Sequence, residues 1–184
     1  MRFSRRTGRL QAKVDAVEAD VLSSLAGDLL VLLGEQEEAD PDPLAALVGL
    51  SSGPVSAPQD PALARLLPDA YGDDREAAEE FRRYTETDLR AGKRAQASTV
   101  LATLAPVTGR GGRLSLDREE ADAWLGCLND LRLVLGTRLG VTEETDLDSA
   151  DDDPRAQALH VYGWLGWLQE SLLSCLDPAP PRAR

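Results

Sequence analysis

The chain has 184 residues, of which 42% are hydrophobic and 28% are charged, and its 32 acidic and 20 basic residues give a net charge of −12. This length is enough for one domain with a substantial core. A protein this acidic does not bind nucleic acid or anionic lipid over its whole surface. We therefore expect a soluble globular protein that meets any polyanion only through a local basic region.

The compartment is predicted from two further features of the composition. Residues 1–14 lack the apolar core of a secretory signal, and no apolar run approaches the ~20 residues of a transmembrane helix. The two cysteines, Cys127 and Cys175, are too few for a disulfide framework, which favours a reducing compartment. We expect a cytoplasmic protein without a membrane partner.

The first predicted elements are a β-hairpin and a long helix. Residues 3–5 and 10–14 alternate between apolar and polar positions on either side of a turn that contains Gly8. Asp15 and Glu18 have the spacing of a helix-capping box, and the helix should end near Gly34. Its apolar residues at helical spacing, which we expect to be buried, are Val17, Val21, Leu25, Leu29 and Leu32.

A second stretch repeats this pattern. The segment GRLQAKVDAVEADVL (residues 8–22) matches GRLSLDREEADAWL (residues 112–125) with one gap. Because a two-stranded hairpin alone is only marginally stable, residues 113–116 are predicted to add a third strand. The expected fold class is mainly α (α+β): one domain over residues 1–184, a helical bundle with a small antiparallel β-sheet.

Between the two matching stretches lie a linker and a helical region. Residues 35–60 are rich in acid, Pro, Ser and Gly and are predicted to be a flexible insertion. A short helix should follow over residues 61–67, and then two helices over 74–89 and 93–104, separated at Gly92. Ala77, Phe81, Tyr84 and Leu89 are expected to face inward. A helix-turn-helix-like unit with a wing at residues 107–116, winged-helix-like in outline, is one interpretation; an ordinary helical hairpin is the other.

The last part of the chain is predicted to hold two long apolar helices. The first, capped by Asp117, carries Trp124, Leu128, Leu131, Leu135 and Leu139 on one face, and the second begins at Pro154. Residues 142–153 between them are an acidic loop, and residues 177–184 are a disordered tail. Trp164 and Trp167 on the second helix are candidates for an oligomer interface, such as that of a homodimer, or for the core.

Basic residues are concentrated in two stretches. Residues 1–14 hold five basic residues and no acid, and residues 81–118 hold eight basic residues against three acids. The candidate contacts for nucleic acid or an acidic partner are Arg90, Lys93, Arg94, Arg110 and Arg113. The alternative is that these are solvated side chains on different faces. The glycine-rich turn at residues 108–116 lacks the Gly-Lys-Ser/Thr ending of a phosphate-binding loop.

The chain contains few of the residues that catalytic and metal-binding sites use. His160 is the single histidine, so a nucleophile has one candidate imidazole base, and two cysteines with one histidine do not complete a structural zinc site. We expect no enzyme activity and no cofactor. Cys127 and Cys175 both lie in apolar helices and are predicted to be buried, which keeps a thiol unreactive.

Three blocks together resemble a known family: residues 66–94 (LLPDAYGDDREAAEEFRRYTETDLRAGKR), 124–141 (WLGCLNDLRLVLGTRLGV) and 161–173 (VYGWLGWLQESLL). They are similar to an actinobacterial family of uncharacterised proteins that includes an oxidative-stress transcriptional regulator. The resemblance implies a stress-response regulator that senses oxidants through two closely spaced cysteines and works with a sigma factor. In this chain Cys127 and Cys175 are 48 positions apart, so no cysteine role is carried over.

Two classes of function follow. One is a transcription regulator that acts on DNA or through polymerase-associated proteins. The other is a protein–protein adaptor or scaffold that makes no DNA contact, for which the net charge and the tryptophan-bearing helix are the reasons. The positions of the five candidate basic residues distinguish them, because a DNA-contacting regulator needs these residues on one exposed face.

Overall fold

The structure is a computed structural model that describes residues 1–34, 56–71, 74–145 and 154–176. The described residues form three strands and five helices. Their bounds are β1 Phe3–Arg6, β2 Arg9–Val14, α1 Ala16–Leu33, α2 Pro61–Leu66, α3 Arg75–Leu104, β3 Gly112–Leu116, α4 Arg118–Leu139 and α5 Ala156–Leu176. The predicted insertion (35–60), acidic loop (142–153) and tail (177–184) lie mostly or wholly outside the described residues. The predicted mainly helical class with a small antiparallel sheet is confirmed.

The sheet has the order β1-β2-β3 with both pairs antiparallel, so the predicted third strand is confirmed. Leu10 lies opposite Leu116, and Ala12 lies opposite both Phe3 and Leu114. These inward positions are buried because one side of the sheet packs on the helices. The β1–β2 turn places Thr7 and Gly8 at φ 49° and 81°, the positive values that a two-residue hairpin turn requires.

Both repeats of the strand–cap–helix pattern are present. Asp15 and Asp117 each accept from the main-chain N–H three residues on, and Glu18 and Glu120 complete the two capping boxes. Since β2 and β3 are antiparallel neighbours, their helices α1 and α4 leave the sheet from opposite ends. The strand and capping signals in the sequence therefore place the starts of α1 and α4 at opposite ends of the sheet.

The predicted buried stripe of α1 is confirmed only at Leu29, since Val21, Leu25 and Leu32 are half-buried. Val17 is 72% exposed, whereas the buried residues are Ala19, Leu22, Ala26, Leu29 and Leu33. Their steps alternate between three and four residues, the spacing of a helix that packs closely along another helix. Helix α1 packs mainly against α3.

The predicted division at Gly92 is also wrong, because α3 is one continuous helix of 30 residues. Residues 75–104 therefore form neither the helix-turn-helix-like unit of a winged-helix-like arrangement nor the alternative helical hairpin. In the first half of α3, Phe81, Tyr84 and Leu89 are 44–46% exposed, while Ala78, Arg82 and Glu86 are buried. A glycine inside a helix lowers the stability of the helix by only ~1 kcal/mol relative to alanine. The hydrogen bonds of Arg90, Lys93 and Arg94, described below, outweigh this cost.

The core centres on α4, which packs against α2, α3 and α5. Trp124 of α4 is fully buried, its ring lies edge-on to Phe3 of β1 at 5.8 Å, and its Nε1 donates to Thr103 Oγ1 on α3 over 2.9 Å. One side chain thus joins the sheet to two helices. No helix among the described residues is long and apolar enough to cross a membrane.

Candidate functional site

Arg90 and Arg94, two of the candidate contact residues, bind the end of helix α1. Arg90 Nη1 donates to the main-chain oxygen of Leu33 over 2.6 Å, and Arg94 Nη1 donates to the oxygens of Leu30, at 3.0 Å, and of Gly34. The last carbonyls of a helix lack partners within it and carry partial negative charge. The last turn of α1 contains no basic residue of its own, so the two arginines of α3 supply the donors.

Lys93 is also engaged inside the protein. Its Nζ lies 2.7 Å from Asp130 Oδ1 on α4, and Asp130 is only 2% exposed. Burial raises the pKa of Asp130 above its ordinary value, and the nearby ammonium of Lys93 opposes that rise. Asp130 Oδ2 has no hydrogen-bond partner among the described residues. This pair joins α3 to α4, and Lys93 is half-buried.

A buried ion cluster continues along the same side of α3. Glu86, 3% exposed, accepts from Arg82 with one oxygen and from Arg90, at 2.6 Å, with the other. Arg82 Nη2 also donates to the main-chain oxygen of Leu67, which ends α2, and to Asp69 at 2.5 Å. The sequence signal for this cluster was the spacing of four between residues 82, 86, 90 and 94, which places them in one row on a helix.

The glycine-rich turn that carries Arg110 is fixed to α1. Gly109 N–H donates to Asp20 Oδ1 over 2.8 Å, and the hydroxyls of Thr108 and Ser23 are 3.1 Å apart. Arg110 turns back on its own segment, with Nε donating to the oxygen of Pro106 at 2.7 Å. The turn is therefore not a free wing, although Arg110 remains exposed.

Arg113 lies on the outer side of the sheet and is exposed. The register places the other outward residues of the strands with it, because residues directly opposite each other share a face. This outer side, which we call the basic sheet face, contains Ser4, Arg6, Arg9, Gln11, Lys13, Arg113 and Ser115. The three strands contain no acidic residue. Sequence reasoning recognised the amino-terminal basic cluster but did not place it beside Arg113.

The five candidate residues are therefore not brought together. Arg90, Lys93 and Arg94 are committed to contacts within the helical bundle, whereas Arg110 and Arg113 lie at the sheet and its preceding turn. Four basic side chains from three strands instead share one exposed face: Arg6, Arg9, Lys13 and Arg113. This is the described surface best suited to bind an anionic group.

The two cysteines differ in their surroundings. Cys127 on α4 is buried as predicted, and burial raises the pKa of its thiol to about 12, with the charge of nearby Asp130 contributing. Cys175 on α5 was predicted to be buried and is instead half-buried, because it lies at the edge of α5 beside a cavity of about 300 Å³. Arg2, Phe3 and Trp167 also line that cavity.

The helix α5 presents its two tryptophans differently. Trp164 is half-buried and packs against the core, whereas Trp167 is 45% exposed. Arg132 of α4 lies over the ring of Tyr162 at 5.3 Å and donates to Gln169 Oε1 at 2.7 Å, so polar contacts also join α4 to α5. His160, the candidate imidazole base, is exposed on the same helix. An interface role for the tryptophans remains a prediction.

A family model described as a domain of unknown function, DUF2017, matches residues 1–176. The chain belongs to the DUF2017 family. Relatives from Mycobacterium bovis and Mycobacterium tuberculosis, both named oxidative stress regulator AosR, are 34% identical over 190 residues, which cover 95% of this chain and 86% of theirs. A Mycobacterium leprae relative with the AosR name is 34% identical over 182 residues, 91% of this chain and 82% of its own. No solved structure matches the chain.

In this DUF2017 member the described residues contain no group of three or more histidine, cysteine or acidic side chains that could hold a metal ion. The described surface includes the basic sheet face and the exposed Trp167 of α5.

Proposed function

We propose that this protein is a non-enzymatic regulator of stress-responsive transcription that works in the cytoplasm through contact with polymerase-associated proteins. Support for the regulatory role comes from relatives named oxidative stress regulator AosR, which match 95% of the chain. A match of that extent covers the sheet and the helices alike, so the family resemblance is not limited to one motif.

The observation that favours protein contact over DNA reading is the use made of Arg90, Lys93 and Arg94. A DNA-reading helix presents its basic and polar side chains to a groove and to phosphates. Here these three donate to α1 carbonyls and to Asp130 inside the bundle. Freeing them for DNA would leave a helix end and a buried carboxylate without partners, at a cost of several kcal/mol.

Direct DNA contact is the other route to the same regulatory role. It would have to use the basic sheet face, because this face holds the exposed basic side chains that the fold gathers together. Its signature is a steep loss of affinity with salt, because each neutralised phosphate releases counterions. An adaptor that contacts only proteins lacks that signature with naked DNA.

The test is transcription in vitro by an actinobacterial RNA polymerase holoenzyme, with and without the purified protein. A gel shift of the same promoter DNA is run in parallel at about 50 and 200 mM salt. We expect a change in transcript yield, co-elution of the protein with the holoenzyme, and a shift of DNA only when the holoenzyme is present. A salt-sensitive shift of naked DNA would replace the protein-contact route with DNA contact. No effect on transcription together with no co-elution would refute the proposal.

A homodimer stays a prediction of the same proposal, with the exposed Trp167 as its candidate contact. Sedimentation of the wild type and of Trp167→Gln at several concentrations tests it. A concentration-dependent dimer that the substitution weakens is the expected result. A monomer at all concentrations would remove the dimer from the proposal.

A further inference from the structure

We infer that the basic sheet face binds a short acidic segment of a partner protein. This inference rests on the proposed function, since it identifies the surface through which a regulator of this family would contact the transcription apparatus. It starts from the sheet itself and from the charges that the three strands place next to one another.

The first observation is the pairing of like charges. Arg6 lies directly opposite Arg9, and Lys13 lies directly opposite Arg113. Directly opposite residues have Cβ atoms only about 5 Å apart, and like charges at that distance destabilise a sheet. Within the described ranges, the repulsion is fully uncompensated at Lys13 and Arg113, whereas Arg9 has one acidic partner, Glu120. A bound anion would relieve the repulsion at Lys13 and Arg113.

The second observation is that three of these four charges lack an ionic partner in the described part of the chain, whereas Arg9 also donates to the hydroxyl and main-chain oxygens of Ser115, each at 3.0 Å. Among the described residues Arg6, Lys13 and Arg113 make no ion pair, and Arg9 has one, with Glu120 at 3.1 Å. In the helical bundle, by contrast, Arg82 and Arg90 both pair with Glu86. The chain has 32 acidic residues, so the absence of acids from the three strands does not follow from composition.

The third observation limits the size of the partner. Asp15 and Glu18 follow the end of β2, and Asp117 and Glu119 follow the end of β3, which is the opposite end of the sheet. The basic face is about 20 Å along the strands and about 10 Å across them. A peptide with a few carboxylates fits between these acidic ends.

Duplex DNA suits the face less well. It carries a charge every ~1.7 Å and would extend past both ends of the sheet, over the acidic first turns of α1 and α4. Single-stranded nucleic acid is bound with the help of aromatic side chains on which bases stack. The outward positions of the three strands contain arginine, lysine, serine and glutamine, and no aromatic residue.

The experiment measures fluorescence anisotropy of a labelled peptide of about six glutamates, which matches the length of β2 and spans about 20 Å when extended, against the full-length protein. The variants are Lys13→Glu and Arg113→Glu, each of which turns a like-charge pair into an opposite-charge pair and so should not impair folding. The matched control is Arg65→Glu on α2, an exposed residue that lies outside the sheet and undergoes the same change of charge.

We expect each sheet variant to bind the peptide about tenfold more weakly at low salt, and Arg65→Glu to bind it as the wild type does. Equal binding by all variants, or none by the wild type, would overturn the inference. Tighter binding of a short DNA duplex than of the peptide, lost in Lys13→Glu, would also overturn it, in favour of nucleic acid. Because the peptide assay contains no polymerase, its failure beside a positive transcription result would reject only this surface.

Discussion

Arg90 Nη1 lies 2.6 Å from the main-chain oxygen of Leu33 and so joins the middle of α3 to the last residue of α1. Arg90 Nη2 binds Glu86 at the same time. One guanidinium therefore completes a helix end and neutralises a buried carboxylate. A side chain chosen from the sequence as a candidate for nucleic-acid contact thus contributes to folding stability.

Replacement of Arg90 by methionine should lower the free energy of unfolding by about 2–3 kcal/mol, because a helix carbonyl and a buried carboxylate oxygen both lose their donor. Urea denaturation measures the loss. The control is Arg83→Met, which removes a half-buried arginine from the same helix that makes no hydrogen bond or ion pair among the described residues. Equal losses in the two variants would contradict the role given to Arg90.

Glu86→Gln tests the buried ion cluster. The amide keeps the shape of the side chain but removes the negative charge that lies between Arg82 and Arg90. Breaking a buried ion pair costs about 3–5 kcal/mol, since a charge is left without compensation. Glu79→Gln, which removes the partner of the exposed Arg75, should have a much smaller effect. Urea unfolding that ranks the two variants equally would show that the cluster does not stabilise the fold.

Gly111 and Gly109 form a matched pair for the glycine-rich turn. Both have positive φ, 71° and 74°, so alanine at either position carries strain of about 1–2 kcal/mol. At Gly111 an added Cβ would also lie 3.0 Å from the oxygen of Val14 and 3.1 Å from Ala16 N, whereas at Gly109 it would meet nothing within 4 Å. Gly111→Ala should therefore lower the melting temperature clearly more than Gly109→Ala. Similar melting temperatures would mean that the β2–α1 junction moves aside without cost.

The two thiols should differ in reactivity. At neutral pH the Cys127 thiol stays protonated because burial raises its pKa to about 12, and the thiolate is the reactive form. Cys175 is half-buried and lines a cavity. In the native protein one thiol per chain should react with Ellman's reagent. In Cys175→Ser no thiol should react until urea is added. Reaction of Cys127 at a comparable rate in native protein would show that α4 opens readily.

Asp130 should give the protein a pH-dependent stability of defined sign. Its pKa is raised in the folded state, chiefly by burial, so the folded protein binds the proton more tightly than the unfolded chain does. The contribution of Asp130 to stability is then greatest below pH ~4 and is lost as the pH rises through the folded-state pKa. Asparagine does not titrate. Relative to Asp130→Asn, the wild type should lose stability in urea from pH ~3 to ~7, and a relative gain would contradict this assignment.

The sheet and both helix starts were predictable because their signals are local. Gly8 at the turn, the alternation in β2 and β3, and the Asp-x-x-Glu spacing at residues 15 and 117 each act within a few residues. The pairing of β2 with β3 was predictable because a two-stranded hairpin alone is only marginally stable. These features depend little on the rest of the fold.

The errors concern the sides of helices that face other helices. Helix α1 has apolar residues on most sides, so several stripes were equally plausible, and contact with α3 selected the one that contains Ala19 and Ala26. In α3 the aromatic Phe81 and Tyr84 were placed inside, yet Arg82 and Glu86 are buried because they neutralise each other. Which charges find partners depends on contacts between distant residues, which a single sequence does not reveal.

The same limit applies to the candidate site. The excess of basic residues in residues 1–14 and the presence of Arg113 were evident from the sequence. Their common face depends on the register between β2 and β3, in which Lys13 lies opposite Arg113. A shift of one residue would turn the outward side chains to the core, so the site requires knowledge of the register.

The pairing of β2 with β3 has a consequence for the order of events during synthesis. Leu10 and Leu116 are neighbours in the sheet, although roughly 100 residues separate them along the chain. At about 5–20 residues per second, a ribosome needs roughly 5–20 s to make that interval. The amino-terminal hairpin emerges first and must wait for its third strand.

Until β3 emerges, the inner side of the hairpin, with Phe3, Leu10 and Val14, has no complete partner in the nascent chain. A two-stranded hairpin is marginally stable at best in water. The full basic sheet face therefore comes into existence only after more than half of the chain has been translated, and an incomplete nascent chain cannot compete with the finished protein for a partner of that face.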